Sequence, residues 1–195
     1  MDQWNRGWRA GAMGVAWELS MIATLTPVAV LPTSRVGPRP RMRCTLPHLQ
    51  LDQLPDAEIA DELLALALEI PHVRANESRM ASPETVALRL ADESAGGPPE
   101  AFIDGHEFCH LHRLPEGGIH LTLPKVLREQ VVPLGWGEPH PIARAGLLTT
   151  LVTVYAPRDR HELRVVLGLV WQSCRFAQGS LGALHGGDRC LLEPR

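Results

Sequence analysis

The chain has 195 residues, 45% hydrophobic and 21% charged, a balance that fits one ordinary globular core. Its 19 basic and 22 acidic side chains give a net charge of −3 with no basic block, which argues against a dedicated nucleic-acid-binding protein. Four scattered cysteines without a Cys-x-x-Cys pair argue against a zinc ribbon or a disulfide framework, and indicate a reducing, cytoplasmic compartment.

The first 48 residues are predicted to form a poorly ordered tail and linker. Residues 11–31 are mostly apolar, but Glu18 and Pro27 interrupt them, which is atypical of a secretory signal or a membrane-spanning helix. Prolines interleaved with arginines up to Arg43 then indicate an extended linker. A peripheral membrane anchor through residues 1–31 is the alternative interpretation.

Residues 49–178 are predicted to form one α+β domain, and the Gly-rich residues 179–195 a C-terminal tail. The predicted elements are a helix between Pro55 and Pro71, strands over 73–78, 86–90, 107–113 and 119–123, a helix over 125–134, a strand over 147–155 and a helix over 161–176. This order predicts a single, largely antiparallel β-sheet with helices packed on one face.

The predicted hairpin over 107–123 places histidines together. In its first strand Phe108, His110 and His112 alternate with apolar residues, and in its second strand His120 and Thr122 do the same. Both apolar sides must face the core, and a slip of one residue would turn every side chain of a strand over. The register therefore predicts that His110, His112 and His120 share one face.

Three roles are open for these histidines. One imidazole could remove the proton of a bound phenolic substrate, since its pKa lies near working pH. Alternatively, His110, His112 and His120 could ligate a divalent metal ion, although no Asp or Glu is predicted on that strand face. The third interpretation is a polar strand face with hydrogen-bonded histidines and no chemistry.

Two further segments carry candidate substrate-binding residues. Trp136 and His140 lie in a Gly/Pro-rich loop that is predicted to fold back, so that His140 joins the other histidines and Trp136 walls their pocket. A Trp that plugs the core is the alternative. Tyr155 and Arg158 follow a buried strand, where the guanidinium could hold a phenolate or instead pair with Glu162 one turn later.

These motifs together resemble the fungal luciferases and their bacterial luciferase-like relatives. The resemblance runs from about Pro71 to Phe176 and rests on four spaced motifs. These are His110-x-His112, His120-Leu121, Gly135-Trp136-Gly137-Glu138-Pro139-His140-Pro141 and Tyr155-Ala156-Pro157-Arg158. The fungal enzyme also has an N-terminal membrane segment, whereas Glu18 and Pro27 interrupt the corresponding region here.

The resemblance implies an oxygenase-type reaction in which O2 adds to a small hydroxylated aromatic or enolic substrate without an organic cofactor. Catalytic roles are then expected for His110, His112, His120 and His140. The expected substrate-binding residues are Trp136, Tyr155, Arg158, Phe108 and Thr122. A non-catalytic binding module of the same fold and a His-ligated, metal-dependent oxygenase are the alternatives.

Overall fold

Alternating strands and amphipathic helices make up residues 33–181, the part of the chain that the computed structural model describes. The helices there are α1 (Ala57–Leu68), α2 (Lys125–Val131), α3 (Pro141–Arg144) and α4 (Arg160–Ala177). The strands are β1 (Val73–Glu77), β2 (Val86–Leu90), β3 (Glu107–Leu111), β4 (Ile119–Thr122), β5 (Gly137–Pro139) and β6 (Leu151–Val154). No helix within residues 33–181 is long and apolar enough to cross a membrane.

The strands form one antiparallel sheet in the order β1-β2-β3-β4-β6-β5. Helices α1 and α4 pack against each other and against the sheet, which confirms the predicted α+β class. The core lies between these two helices and the sheet residues that include Cys109, Leu121 and Val152. The other side of the central strands carries the histidines.

Helix α4 forms where the sequence predicts it. The Asp159 carboxylate caps its start by accepting a hydrogen bond from the Glu162 backbone N–H at 2.9 Å. Its apolar stripe is fully buried and comprises Leu163, Val166, Leu167, Val170 and Cys174. The helix therefore anchors the core beneath β3 and β4.

The register of β3 and β4 confirms the predicted pairing. Cys109 lies opposite Leu121, and His110 lies opposite His120. Side chains of directly opposed residues point to the same side of a sheet. The two histidines therefore share the face that is turned away from the apolar core.

A β-bulge in β3 changes the strand face that the alternation predicts for its first residues. Leu88 pairs with Cys109, but the next residue, Arg89, pairs with Glu107, so the ladder skips Phe108. The side chain of Phe108 lies in the apolar core, and the carboxylate of Glu107 lies beside His110. The expectation that no acidic residue shares the histidine face was therefore wrong.

The segment from Gly135 to Thr150 contains structure that periodicity does not reveal. The predicted strand over 147–155 is shorter, since β6 begins only at Leu151. Before it, β5 has 3 residues and α3 has 4, lengths too short to show a repeat. Pro141 starts α3, because proline suits the first turn of a helix.

Residues 33–53 form a covering segment that lies over the histidine face. The segment folds back on itself through the hydrogen bonds Arg43 N–H to Leu49 O and Leu51 N–H to Arg41 O. It is tied to the domain where Gln50 N–H donates to Gly117 O, and where the Trp136 indole N–H donates to Thr33 O. Of the predicted tails, residues 1–32 and 182–195 lie outside the described part of the chain.

Candidate functional site

Five histidines meet on the face of the sheet opposite α4. His110 lies on β3 and His112 directly follows it, His120 lies on β4, His140 precedes α3, and His48 comes from the covering segment. The His120 ring centroid lies 4.8 Å from those of His110 and His112 and 4.5 Å from that of His140. The four histidines named from the sequence thus come together around His120, and we call all five the histidine cluster.

The cluster is sealed from solvent. Residue exposure runs from 2% for His48 to 8% for His112, and the imidazole of His112 itself is completely covered. Burying polar rings is costly unless their nitrogens find partners. The hydrogen bonds of each imidazole therefore decide what the cluster can do.

A chain of hydrogen bonds runs through the two opposed histidines. The His120 Nε2–H donates to the backbone carbonyl of His48 at 2.9 Å, which leaves Nδ1 of His120 as an acceptor. His110 Nε2 lies 2.9 Å from that Nδ1 and is placed to donate to it. The other nitrogen of His110, Nδ1, lies 2.7 Å from the buried Glu107 carboxylate. His110 and Glu107 therefore share one proton.

Glu107 is held in place by a second donor. The hydroxyl of Ser78 donates to its Oε1 at 2.9 Å, while Oε2 has no hydrogen-bond partner among the described residues. The guanidinium of Arg89 lies 3.9 Å from that second oxygen. A completely buried carboxylate fixed in this way orients the His110 ring.

His112 and His140 present different nitrogens to the cluster. Nδ1 of His112 faces the Thr85 hydroxyl at 3.2 Å and the Glu116 carboxylate at 3.6 Å, so it is the nitrogen placed to carry the proton. Its Nε2 is buried with no partner in the described chain. In His140, Nδ1 accepts the Ile142 backbone N–H at 3.2 Å, so its proton belongs on Nε2.

Three rings of the cluster, those of His112, His120 and His140, are held neutral. Burial, with the neighbouring imidazoles as a second cause, lowers the pKa of His112 from 6.5 to about 3 and that of His140 to about 4. The pKa of His120 also falls well below its usual value, mainly because the ring is buried. At neutral pH these three imidazoles therefore offer lone pairs and N–H groups but no positive charge.

A second hydrogen-bond network borders the cluster at His48. Its Nδ1 donates to the Arg43 carbonyl at 2.7 Å, and its Nε2 lies 3.1 Å from Oε1 of Glu138. The hydrogen bond from His48 keeps the pKa of Glu138 below its usual value. The other oxygen of Glu138 accepts from the Tyr155 hydroxyl at 3.1 Å, and burial raises the pKa of Tyr155 to about 12.

The remaining candidate residues have structural partners. Trp136 is buried in the apolar core, with its indole N–H bound to Thr33. Arg158 pairs with the buried Glu162, as the alternative interpretation expected, and the Thr122 hydroxyl donates to the Ala101 carbonyl at 2.7 Å. Of the substrate-binding residues expected from the sequence, Tyr155 lies nearest in the hydrogen-bond network to the cluster, through Glu138 and His48.

Sequence reasoning missed three groups of the site: Glu107, His48 and Glu138. Strict alternation assigns Glu107 to the wrong face, because one-residue bulges leave no mark in a single sequence. His48 sits in a stretch rich in proline and arginine that favours a linker. Glu138 lies within the Gly-Trp-Gly-Glu-Pro-His-Pro motif, which was its one available signal.

A cavity of about 260 Å3 lies beside the cluster, between the start of α1 and the loop that joins β3 to β4. Its walls are mostly apolar and include Leu63, Leu111 and Ile119, with Arg113 and Glu116 at the loop. His112 also lines it, although the covered imidazole shows that the contact is made by the backbone. The cavity therefore abuts the cluster from the core side.

Comparisons with known proteins agree with these residues. Residues 105–173 match the family model of the Luciferase domain. The luciferase of Armillaria ostoyae is 30% identical over 149 residues, which are 68% of this chain and 56% of that protein. The luciferase of Neonothopanus nambi is 28% identical over 159 residues, which are 73% of this chain and 59% of that protein. No solved structure matches the chain significantly.

The matched region contains Glu107 and four of the clustered histidines, whereas His48 and the covering segment precede it. The chain spans little more than half the length of the curated relatives it matches. Residues 105–173 thus form a Luciferase domain, and the chain belongs to this family as a distant homologue of the fungal luciferases.

Proposed function

We propose that this protein is an oxygenase-type enzyme that combines O2 with a small hydroxylated aromatic or enolic compound at the histidine cluster. The reaction would need no flavin or nucleotide. The homology with luciferases supports the reaction class. The observation that carries the site assignment is the unpartnered, buried Nε2 of His112 among neutral imidazoles.

The proposed chemistry begins with a proton transfer. A phenol or enol placed against His112 gives its proton to Nε2 and becomes an electron-rich anion that reacts with O2. The low pKa of about 3 describes the ring without substrate. A bound anion raises that pKa, because an opposite charge favours the protonated imidazole.

His140 supplies a hydrogen-bond donor beside the proposed base, His112. Since its Nδ1 accepts the Ile142 N–H, the neutral ring carries a proton on Nε2. That N–H is available to donate to an oxyanion of the substrate or of its peroxide. The substrate reaches both rings only when the covering segment moves, since the imidazoles are sealed in this conformation.

Oxygen uptake tests the proposal. Purified protein is given a panel of hydroxylated pyrones and catechols, and O2 consumption is followed with an electrode. The variants H112Q and H140Q should lose about 100-fold or more of the rate, since proton transfer typically contributes that much. The variant H161Q, which alters an exposed residue at the start of α4, should keep full activity. Folded wild-type protein that consumes no oxygen with any compound of the panel would refute the assignment.

The complete burial of the cluster favours a second candidate, a binding module that captures a small aromatic molecule without turnover. This candidate predicts that ligands raise the melting temperature and are recovered unchanged. The variant H112Q should then weaken binding and alter no reaction. Product formation at more than one equivalent per protein would exclude it.

A further inference from the structure

We propose that His110, His112 and His120 bind a divalent first-row transition-metal ion. The ligand atoms would be Nε2 of His110, Nδ1 of His120 and Nε2 of His112. Metal binding is inferred from the geometry of the cluster alone; a bound ion would occupy Nε2 of His112 and so would compete with the proton transfer proposed above.

The spacing of the ring nitrogens fits metal ligation. One nitrogen from each of the three rings can be chosen so that all lie within 4.8 Å of one another. His110 Nε2 and His120 Nδ1 are 2.9 Å apart. With metal–nitrogen bonds of about 2.0–2.1 Å, adjacent ligands lie about 2.9 Å apart in an octahedral site and about 3.3 Å apart in a tetrahedral one. The separations reach up to 4.8 Å, so the His112 ring has to move toward the other two rings to complete the set.

The outer nitrogen of each ring already has the partner that a metal ligand requires. A ligating imidazole normally donates its other N–H to a carboxylate, a carbonyl or another acceptor, which orients the lone pair toward the metal. His110 Nδ1 faces the Glu107 carboxylate, and His120 Nε2 donates to the His48 carbonyl. His112 Nδ1 faces the Thr85 hydroxyl. Three different acceptors thus direct three lone pairs inward.

The inner side of the cluster has an unsatisfied electron pair. Nε2 of His112 is completely buried and has no hydrogen-bond partner among residues 33–181. A metal ion at this point would use that lone pair and would replace the hydrogen bond between His110 and His120 with two metal bonds. Ligation uses the neutral form of each imidazole, whose lone pair then points to the ion.

The charge and donor set narrow the class of ion. The fully buried Glu107 carboxylate lies beside the His110 ring, and its Oε2 has no hydrogen-bond partner among the described residues. Imidazole ligands suit zinc, iron, copper and nickel, whereas calcium and magnesium prefer oxygen. Three nitrogen ligands also leave at least one coordination position for a further ligand.

The test uses the full-length protein, stripped with a chelator and titrated with Co2+ and Zn2+ in the absence of substrate. We expect one equivalent of Co2+ to bind with visible d–d absorption bands, one equivalent of Zn2+ to displace it, and the melting temperature to rise. The variants H112A and H120A should abolish the bands. The variants H106A and H161A, which alter more exposed histidines, should keep them.

A variant that preserves the ligands guards against loss of fold. E107Q removes only the charge behind His110 and should weaken Co2+ binding by about 10–100-fold while leaving the spectrum of the saturated protein in place. Wild-type protein that binds no Co2+, or binding that disappears in H106A or H161A instead of H112A, would overturn the metal site. Oxygen uptake is measured separately, so this failure would leave the proposed reaction untouched.

Discussion

Glu107 is the residue on which the order of the cluster depends most directly. Its carboxylate is completely buried and holds both the Ser78 hydroxyl and the His110 ring. In E107Q the side chain keeps its shape but loses a charge-assisted hydrogen bond, so we expect a loss of about 1–3 kcal/mol in the free energy of unfolding. Urea denaturation measures this loss. E129Q on the exposed face of α2 is the control, and equal stability of the two variants would contradict the argument.

The lowered pKa values of individual histidines predict that the stability of the folded protein depends on pH. In the unfolded chain His112 and His140 titrate near 6.5, whereas in the folded, metal-free protein their pKa values are about 3 and about 4. Between these values the unfolded state binds more protons than the folded state, so stability is full above pH 6.5 and is lost as the pH falls toward 4.

Denaturation at several pH values in the presence of a chelator checks this dependence. The urea midpoint of the wild type should fall steadily below pH 6.5. The midpoint of H112Q, which lacks one of the titrating rings, should fall by less than that of the wild type. The midpoint of H161Q should fall by as much as that of the wild type. A wild-type midpoint that stays constant from pH 7 to pH 4.5 would contradict the assignment of His112 and His140 as buried, neutral rings.

At the scale of an element, strand β5 fixes the position of Glu138 and His140. A Cβ atom on Gly137 would lie 2.4 Å from the Thr153 carbonyl oxygen, which belongs to the neighbouring strand β6. G137A should therefore push β5 away from β6 and cost about 1–3 kcal/mol. G168A in α4 is the matched control, since open space surrounds that position and alanine should stabilise the helix by about 0.5–1 kcal/mol. Thermal denaturation measures the stability of both variants. Equal melting temperatures would contradict the predicted clash between β5 and β6.

The same elements show what a sequence can and cannot predict. Helix α4 and the β3–β4 register follow from periodicity, because a buried stripe or a shared apolar face imposes a repeat that is long enough to recognise. The bulge at Phe108 and the short β5 and α3 leave no repeat. The convergence of His140 was predictable because only a short helix separates its loop from the hairpin.

At the scale of the whole molecule, the covering segment decides whether the cluster is accessible. The Gln50 side chain ties the segment to the domain, since its Oε1 accepts the Ala156 N–H, while its Nε2 donates to the Asp52 and Gln53 carbonyls within the segment. Its prolines and arginines indicated a linker, and a long-range hydrogen bond such as that between Gln50 and Ala156 cannot be read from local sequence patterns. The boundary of the domain at residue 49 stays a prediction, although residues 33–48 contact the domain.

The variant Q50A should weaken the attachment of the covering segment to the domain. Three backbone groups lose their partner, so we expect a cost of about 1–3 kcal/mol and faster modification of the clustered histidines by diethyl pyrocarbonate. Mass spectrometry of the modified peptides measures the rate at His120 and His140. Q130A on α2 serves as the control. An unchanged modification rate in Q50A would show that other contacts hold the covering segment in place.

The covering segment also has a consequence for the order of folding. Thr33 docks on Trp136, 103 positions later, and Gln50 docks on Ala156, 106 positions later. The hairpin that brings His110 to His120 closes a far shorter loop, and closing long loops costs more chain entropy. The covering segment precedes the hairpin in the chain but is expected to dock after it, so the nascent domain passes through a stage with open imidazoles. In pulsed hydrogen exchange, amides of β3 and β4 should become protected before those of Gln50 and Leu51.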